Sequence, residues 1–173
     1  MKIILFSGKA EAGKTTSAKL LKKKLTGQGK HAVIIPYGDY VKHTAKLLFG
    51  WDGNKDEVGR QLLQWWGTDF VRKKDSMFWV ETVMRIARVL DGTIDYILID
   101  DVRFVDEIVC WFGYDYLSVR VERPGHENSL TAEQLHHISE TELDNWKFDV
   151  TITATNISEL EEQVSKKVFE VVK

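Results

Sequence analysis

Cysteine and proline are nearly missing from this sequence. A single cysteine among 173 residues, Cys110, excludes an intrachain disulfide and suits a reducing compartment without proving one. The two prolines, Pro36 and Pro124, fall where strands are expected to stop. No apolar run approaches the roughly 18 residues of a membrane span. The opening MKIILFSGK has neither the long apolar region nor the small-residue cleavage site of a signal peptide. Excess charge is missing as well. A net charge of −2 gives no global field to attract nucleic acid or anionic membrane, so any anion site must be local. These absences lead us to expect a cytoplasmic protein with no membrane and no stable nucleic-acid partner. What remains, 43% hydrophobic and 29% charged residues, is near the globular average, and the length suits one domain with a real core.

Short apolar runs alternate with helical patterns. Ile3–Phe6, Ala32–Ile35, Tyr96–Ile99, Tyr116–Val121 and Val150–Thr153 read as five strands, apolar enough to be buried on both faces. Helical spacing marks 14–25, 39–49, 55–72, 78–90 and 158–172, with a short helix through Glu107 and Trp111. Gly50-Trp51-Asp52-Gly53 is a turn cluster. The stretch 125–145 is polar and holds three of the five histidines. Strand–helix alternation implies right-handed βαβ units, a parallel sheet covered on both faces, and ligands at the carboxyl ends of the strands.

Gly8-Lys9-Ala10-Glu11-Ala12-Gly13-Lys14-Thr15 matches G-x-x-x-x-G-K-[ST] between an expected strand and an expected helix. The glycines let successive N–H groups turn inward as an anion nest, and the helix N-terminus adds its dipole. Lys14 bridges β- and γ-phosphates, and the Thr15 hydroxyl ligates Mg²⁺. The expected ATP contacts are Gly8, Ala10, Ala12, Gly13, Lys14, Thr15 and Thr16. Glu11 is expected to point to solvent, where it would not repel phosphate. The fold class is then a P-loop three-layer α/β/α domain on a five-stranded parallel sheet. One domain is expected to span 1–173, with a helical acceptor-binding region at about 37–91 and a short lid at about 124–145.

Tyr96–Ile99 ends in Asp100-Asp101, which places a carboxylate beside Thr15 for a hard, octahedral cation. Asp101 is preferred over Asp100. Arg60, Gln64, Thr68 and Arg72 are spaced by four and form one polar stripe on a helix. Arginine suits an acceptor phosphate and glutamine a base edge, although an ordinary solvated face would look the same. Trp65, Trp66 and Trp79 offer stacking surfaces or core packing. Asp39 and Lys42 follow the second strand and can reach the acceptor. Arg103 follows the acidic strand end and can reach between donor and acceptor phosphates. Arg123 is preferred to Arg120 as the cation at the lid hinge for the γ-phosphate. Catalytic roles therefore fall to Lys14, Asp101, Arg103 and Arg123. The histidines form no metal motif.

Four patches resemble the deoxynucleoside monophosphate kinase family of phages and bacteria. They are Asp101-Val102-Arg103-Phe104 with Glu107; Arg60 to Arg72 with its Gly67-Thr68-Asp69; Tyr37 to Lys42; and His137-Ile138-Ser139-Glu140. Glu11-Ala12, Thr15 and Val105-Asp106 depart from that family's usual residues. The resemblance implies transfer of phosphate from ATP to a deoxynucleoside monophosphate with Mg²⁺. It strengthens Arg60 and Arg72 as acceptor ligands, keeps Asp39, Lys42, Gln64, Trp65 and Thr68 beside them, and leaves a homodimer open. Alternatives are another small-metabolite P-loop kinase, such as a dephospho-coenzyme A kinase, whose hydroxyl acceptor would need an aspartate as base, or a non-kinase ATPase or switch. The chain has no N-K-x-D guanine-reading motif.

Overall fold

The computed structural model describes residues 1–127 and 129–173. Five strands form one parallel sheet: β1 (Lys2–Ser7), β2 (Ala32–Ile34), β3 (Tyr96–Val102), β4 (Asp115–Glu122) and β5 (Val150–Thr153), in the order β2-β3-β1-β4-β5. β1 is the centre, with Ile3 opposite Ile97 of β3 and Tyr116 of β4. Its side chains alternate between two cores, as a strand period of two requires. Ile4 and Phe6 pack with Ala18, Leu21 and Leu25 of α1 (Lys14–Gly27). Ile3 and Leu5 pack on the other face with Val80, Val83 and Ala87 of α4 (Phe78–Leu90). All four β1 residues have 0% exposure, and such side chains contribute about 1.5–3 kcal/mol each. The three-layer expectation is met.

The region expected to bind the acceptor holds α2 (Tyr37–Phe49) and α3 (Glu57–Gln64), the latter continuing without a break as a π-helical stretch, Trp65–Arg72. The expected straight helix over 55–72 is therefore a two-part element. In its α part a step of four overshoots one turn, and in its wider π part it undershoots. The drift of the Arg60–Gln64–Thr68–Arg72 stripe is partly cancelled, and all four side chains line one cavity. α5 (Asp106–Val109), α6 (Ala132–His136) and α7 (Ile138–Thr141) are short. The latter two lie within the expected lid at 124–145, of which residue 128 is outside the described residues. The chain ends in α8 (Ile157–Gln163), a π stretch (Val164–Phe169) and α9 (Glu170–Val172). Among the described residues, no helix is long and apolar enough to cross a membrane.

Two boundaries beside the cleft differ from expectation. β3 runs three residues beyond Ile99, and α2 begins two residues before Asp39. β3 is carried on by the pairing of Val102 with Ser7 of β1, and α2 starts early because the Asp101 carboxylate accepts the Tyr37 amide at 2.9 Å on one oxygen and the Gly38 amide at 2.7 Å on the other. Pro36 at the N-cap position carries no side-chain acceptor, so a residue 64 positions away caps the helix. No local pattern announces that bond.

Tyr37 also ties α2 to α5. Its hydroxyl donates to the Glu107 carbonyl at 3.2 Å and accepts from the Trp111 indole at 3.0 Å. Both rings are buried, at 3% and 0% exposure. Tyr37→Phe strands the Trp111 N–H, and we expect a loss of about 1–3 kcal/mol, read as a lower urea midpoint at unchanged slope. An unchanged midpoint would show that this bond does not hold α2 to α5.

Candidate active site

The phosphate loop follows β1 at the middle of the sheet. Gly8 sits at φ 151°, and a Cβ there would run into the Val121 carbonyl. Gly13, at φ 102°, starts α1 where Leu160 and Val121 leave little room. Ala12 is buried behind the loop, and Thr16 is half-buried. These four shape the loop. Ala10, Glu11, Lys14 and Thr15 form the part that lines the cavity. Lys14 is 8% exposed and donates to the Gly8 carbonyl at 2.8 Å and the Lys9 carbonyl at 2.7 Å. Burial first, then Arg103, push its ammonium down to about 7.

The cavity, about 800 Å³, runs from this loop to the α2–α3 helices. Asp39, Lys42, Arg60, Gln64, Thr68, Arg72, Asp100, Asp101 and Arg103 all line it. Thus the sequence-predicted acceptor residues, the acidic strand end and the phosphate loop meet in one cleft. Trp65 does not belong to it. It is 42% exposed and packs in an aromatic cluster with Phe49, Trp66 and Phe70. The tryptophan that lines the cavity is Trp79, which is buried and donates to the Gly67 carbonyl at 3.0 Å. The π-helical turn separates these rings in a way that residue spacing does not display.

The two strand-end carboxylates differ in their partners. Both Asp101 oxygens are committed to the first amides of α2, and burial raises the acid's pKa. Asp100 is 4% exposed, and its Oδ1 is buried with no hydrogen-bond partner. An orphaned buried carboxylate oxygen in the cavity that Thr15 also lines fits a cation site. Among the described residues, no group of three His, Cys, Asp or Glu side chains is placed to hold a metal. A cation taking one carboxylate and a hydroxyl, with phosphate oxygens completing the shell, is the Mg²⁺ pattern.

Arg123 is not brought to the cavity. It follows β4 and is exposed. The β4 cation nearer the phosphate loop is Arg120, 3.3 Å from Asp144, which also pairs with Lys9 at 2.6 Å. Glu11 is exposed, as expected, but its carboxylate is not free. At φ 61° it crosses the cleft mouth, accepts from the Ser129 hydroxyl, and lies 3.5 Å from Arg60 and 3.3 Å from His126. Its carboxyl pKa is lowered, chiefly by the Ser129 bond.

Three carboxylates organise the remaining cations, and none was singled out as a site residue in the sequence. Glu107 and Asp106 pair with Arg72, whose guanidinium lies 3.8 Å over the Phe104 ring. Glu107 also accepts the amides of Arg103 at 2.7 Å and Phe104 at 3.2 Å. Burial raises the Glu107 acid while Arg72 opposes that shift. Glu140, at the end of the His137-Ile138-Ser139-Glu140 patch, pairs with Arg103 and accepts the Ala10 amide at 3.1 Å. A carboxylate thus occupies one donor of the phosphate nest. Glu107 and Glu140 both stood inside quoted motifs, but the meeting of Glu140 with Ala10 spans 130 residues, beyond any sequence pattern.

A family model described as deoxynucleotide monophosphate kinase matches residues 42–167. No curated protein matches the chain in sequence. Among solved structures, the APS kinase CysC of Mycobacterium tuberculosis in complex with AMPPNP and APS superposes with a TM-score of 0.59 at 14% identity, covering 99% of this chain and 98% of that one. A cysteine-to-alanine mutant of the same kinase gives 0.55 at 14% identity, covering 99% and 97%. At this identity the likeness concerns the fold.

Lys14 carries a proton prediction. A phosphate beside it favours the ammonium, so its pKa rises from about 7 toward the ordinary 10.5. At pH 8, where Lys14 is mostly neutral beforehand, ATP binding should take up close to one proton. At pH 6 that uptake should vanish, because the ammonium is already formed. Titration calorimetry in buffers of different protonation enthalpy measures this, and zero uptake at pH 8 would refute it.

Proposed function

We propose, because this chain belongs to the deoxynucleotide monophosphate kinase family, that the cleft is the active site in which the γ-phosphate of ATP passes to a deoxynucleoside monophosphate. The chain is a phosphotransferase acting on nucleotides. The observation that carries the assignment of roles is the single cavity with the phosphate loop on one wall and Arg60, Gln64, Thr68 and Arg72 on the other.

In this reading the Ala10 amide, its neighbours in the loop and Lys14 hold the ATP phosphates. Asp100 and Thr15 hold Mg²⁺, which when bound neutralises phosphate charge and orients the triphosphate. Gln64 and Thr68 offer donors and acceptors to the base, and Trp79 forms an apolar wall. Arg60 closes the acceptor side. Its Nη2 donates to Ser129 at 3.0 Å, tying the acceptor helix to the segment after β4. Arg72 is held rigid by Asp106 and Glu107. Arg103 lies between the two walls, and its present partners, the Ser139 carbonyl at 2.9 Å and Glu140, belong to the 124–145 segment. Closure of that segment therefore sets where Arg103 points.

The reaction needs no protein base. An anionic oxygen of the acceptor monophosphate attacks the γ-phosphorus, the bond to the β,γ-bridging oxygen breaks, and ADP leaves with that electron pair. Catalysis is alignment plus neutralisation of spreading charge. Lys14 and Arg103 supply positive charge, and the tied carboxylates prevent these groups from wandering. ATP and mononucleotides share the cytoplasm, which suits a chain with one free thiol, Cys110.

Coupled assay of ADP release should show turnover that requires a deoxynucleoside monophosphate as well as ATP. ADP release at the same rate without any acceptor would overturn the proposal in favour of an ATPase. Asp100→Asn should lower kcat by about 100-fold and shift the Mg²⁺ dependence to higher concentration, whereas an unaltered Mg²⁺ curve would remove Asp100 from the cation site.

A further inference from the structure

The acceptor-side cations are unequal once their partners are counted. Arg72 is neutralised by Asp106 and Glu107, Arg103 by Glu140, and Lys42 by Asp39 at 2.6 Å. Arg60 faces Glu11 and Ser129. Lys55 differs. Its side chain lines the same cavity, yet among the described residues its ammonium has no hydrogen bond and no ion pair, a state it shares with Lys19 of α1, the helix that follows the phosphate loop. Its backbone is fixed, because the Lys55 carbonyl accepts from Arg60 Nε at 2.9 Å. The preceding turn is built onto α3. Trp51 Nε1 donates to the Asn54 carbonyl at 2.9 Å, Asn54 is held by Asp52, and Gly59 leaves no room for a Cβ against that turn. Asp56 then caps α3 by accepting the Gly59 amide at 2.8 Å. Lys55 is exposed, so water solvates its ammonium in the free cleft; anchored at its main chain and unpaired at its head, it can meet an anion that enters the cavity it lines.

We propose that Lys55 is the specificity-determining ligand for the dianionic phosphate of the acceptor nucleotide. The inference rests on the acceptor-site reading above and deepens it. A phosphomonoester is mostly dianionic near neutral pH, its second pKa being about 6. Binding it means supplying charge that is not already cancelled. Arg72 and Lys42 each carry a carboxylate that offsets much of theirs, and they serve as oriented donors. Lys55 supplies the uncancelled charge. The electrostatics of the free cleft agree. Burial, then Lys42, Arg60 and Arg103, lower the Lys55 pKa, while Asp101 opposes them. Several cations crowd one place that a dianion would relieve. A bound phosphate reverses that shift, so acceptor affinity should weaken as pH rises through the free Lys55 pKa.

The decisive comparison uses two ligands and three proteins. Wild type, Lys55→Ala and Lys55→Arg are titrated with a deoxynucleoside monophosphate and with the matching deoxynucleoside, which has the base and sugar but no phosphate. Lys55→Ala should weaken monophosphate binding by about tenfold or more, leave nucleoside binding unchanged, and raise the acceptor KM with the ATP KM intact. Lys55→Arg should recover much of the loss. Because the ammonium has no partner in the fold, all three proteins should melt alike. Equal affinity of wild type and Lys55→Ala for the monophosphate would overturn the inference, as would an equal loss for both ligands, or a rise in ATP KM alone. In those cases the wild type still turns over and the kinase reading stands. A wild type that neither binds nor phosphorylates any monophosphate sinks that reading and this inference with it.

Discussion

The contact between the Asp101 carboxylate and the first two amides of α2 sets the geometry on which the cleft depends. It starts α2 after a proline that cannot cap it. It also draws the acceptor-side helices onto the carboxyl end of β3, next to the central strand that delivers the phosphate loop. The neighbouring Asp100, one step along the same strand, is left to face the loop alone. A strand sends successive side chains to opposite sides, so two adjacent aspartates divide the work. One builds the wall of the cleft, and the other keeps an unsatisfied oxygen inside it.

A second device repeats this economy. Glu107 gathers Arg72, the Arg103 amide and the Phe104 amide around one carboxylate. A buried ion pair of this kind adds little net stability, since desolvation cancels most of its attraction. Its value lies in fixing two arginines from different elements relative to each other. Phe104 beneath the Arg72 guanidinium restricts that plane further. The acceptor wall is rigid where carboxylates hold it, and it keeps uncompensated positive charge where they do not.

What was legible in the sequence was whatever is local. The phosphate loop is a contiguous pattern with a fixed mechanical reason, and the five apolar runs mark the strands because a parallel sheet buries both faces. The stripe of Arg60, Gln64, Thr68 and Arg72 was legible because spacing by four survives a change of helix type. The rest was hidden for identifiable reasons. Asp100 and Asp101 are chemically identical, and only a partner 64 residues away tells them apart. Trp65 and Trp79 are equally aromatic, but a π-helical turn, which composition does not signal, sends the first outward. Lys55 lies just before α3 and carries no motif that would single it out. Glu11 looked too acidic for its loop until Arg60, His126 and Ser129 came to meet it.

The Glu140 carboxylate rests on the Ala10 amide and on Arg103. The nest is therefore stoppered by an anion tethered to the chain, and a phosphate arriving there trades places with it. The electrostatic gain on arrival is the difference between two anions, smaller than the full attraction of a bare cationic hollow. Arg103 shares that glutamate through its other oxygen and keeps the Ser139 carbonyl besides. An anion that is to take the Ala10 amide must compete with a carboxylate already seated there, which raises the threshold for any weakly charged visitor.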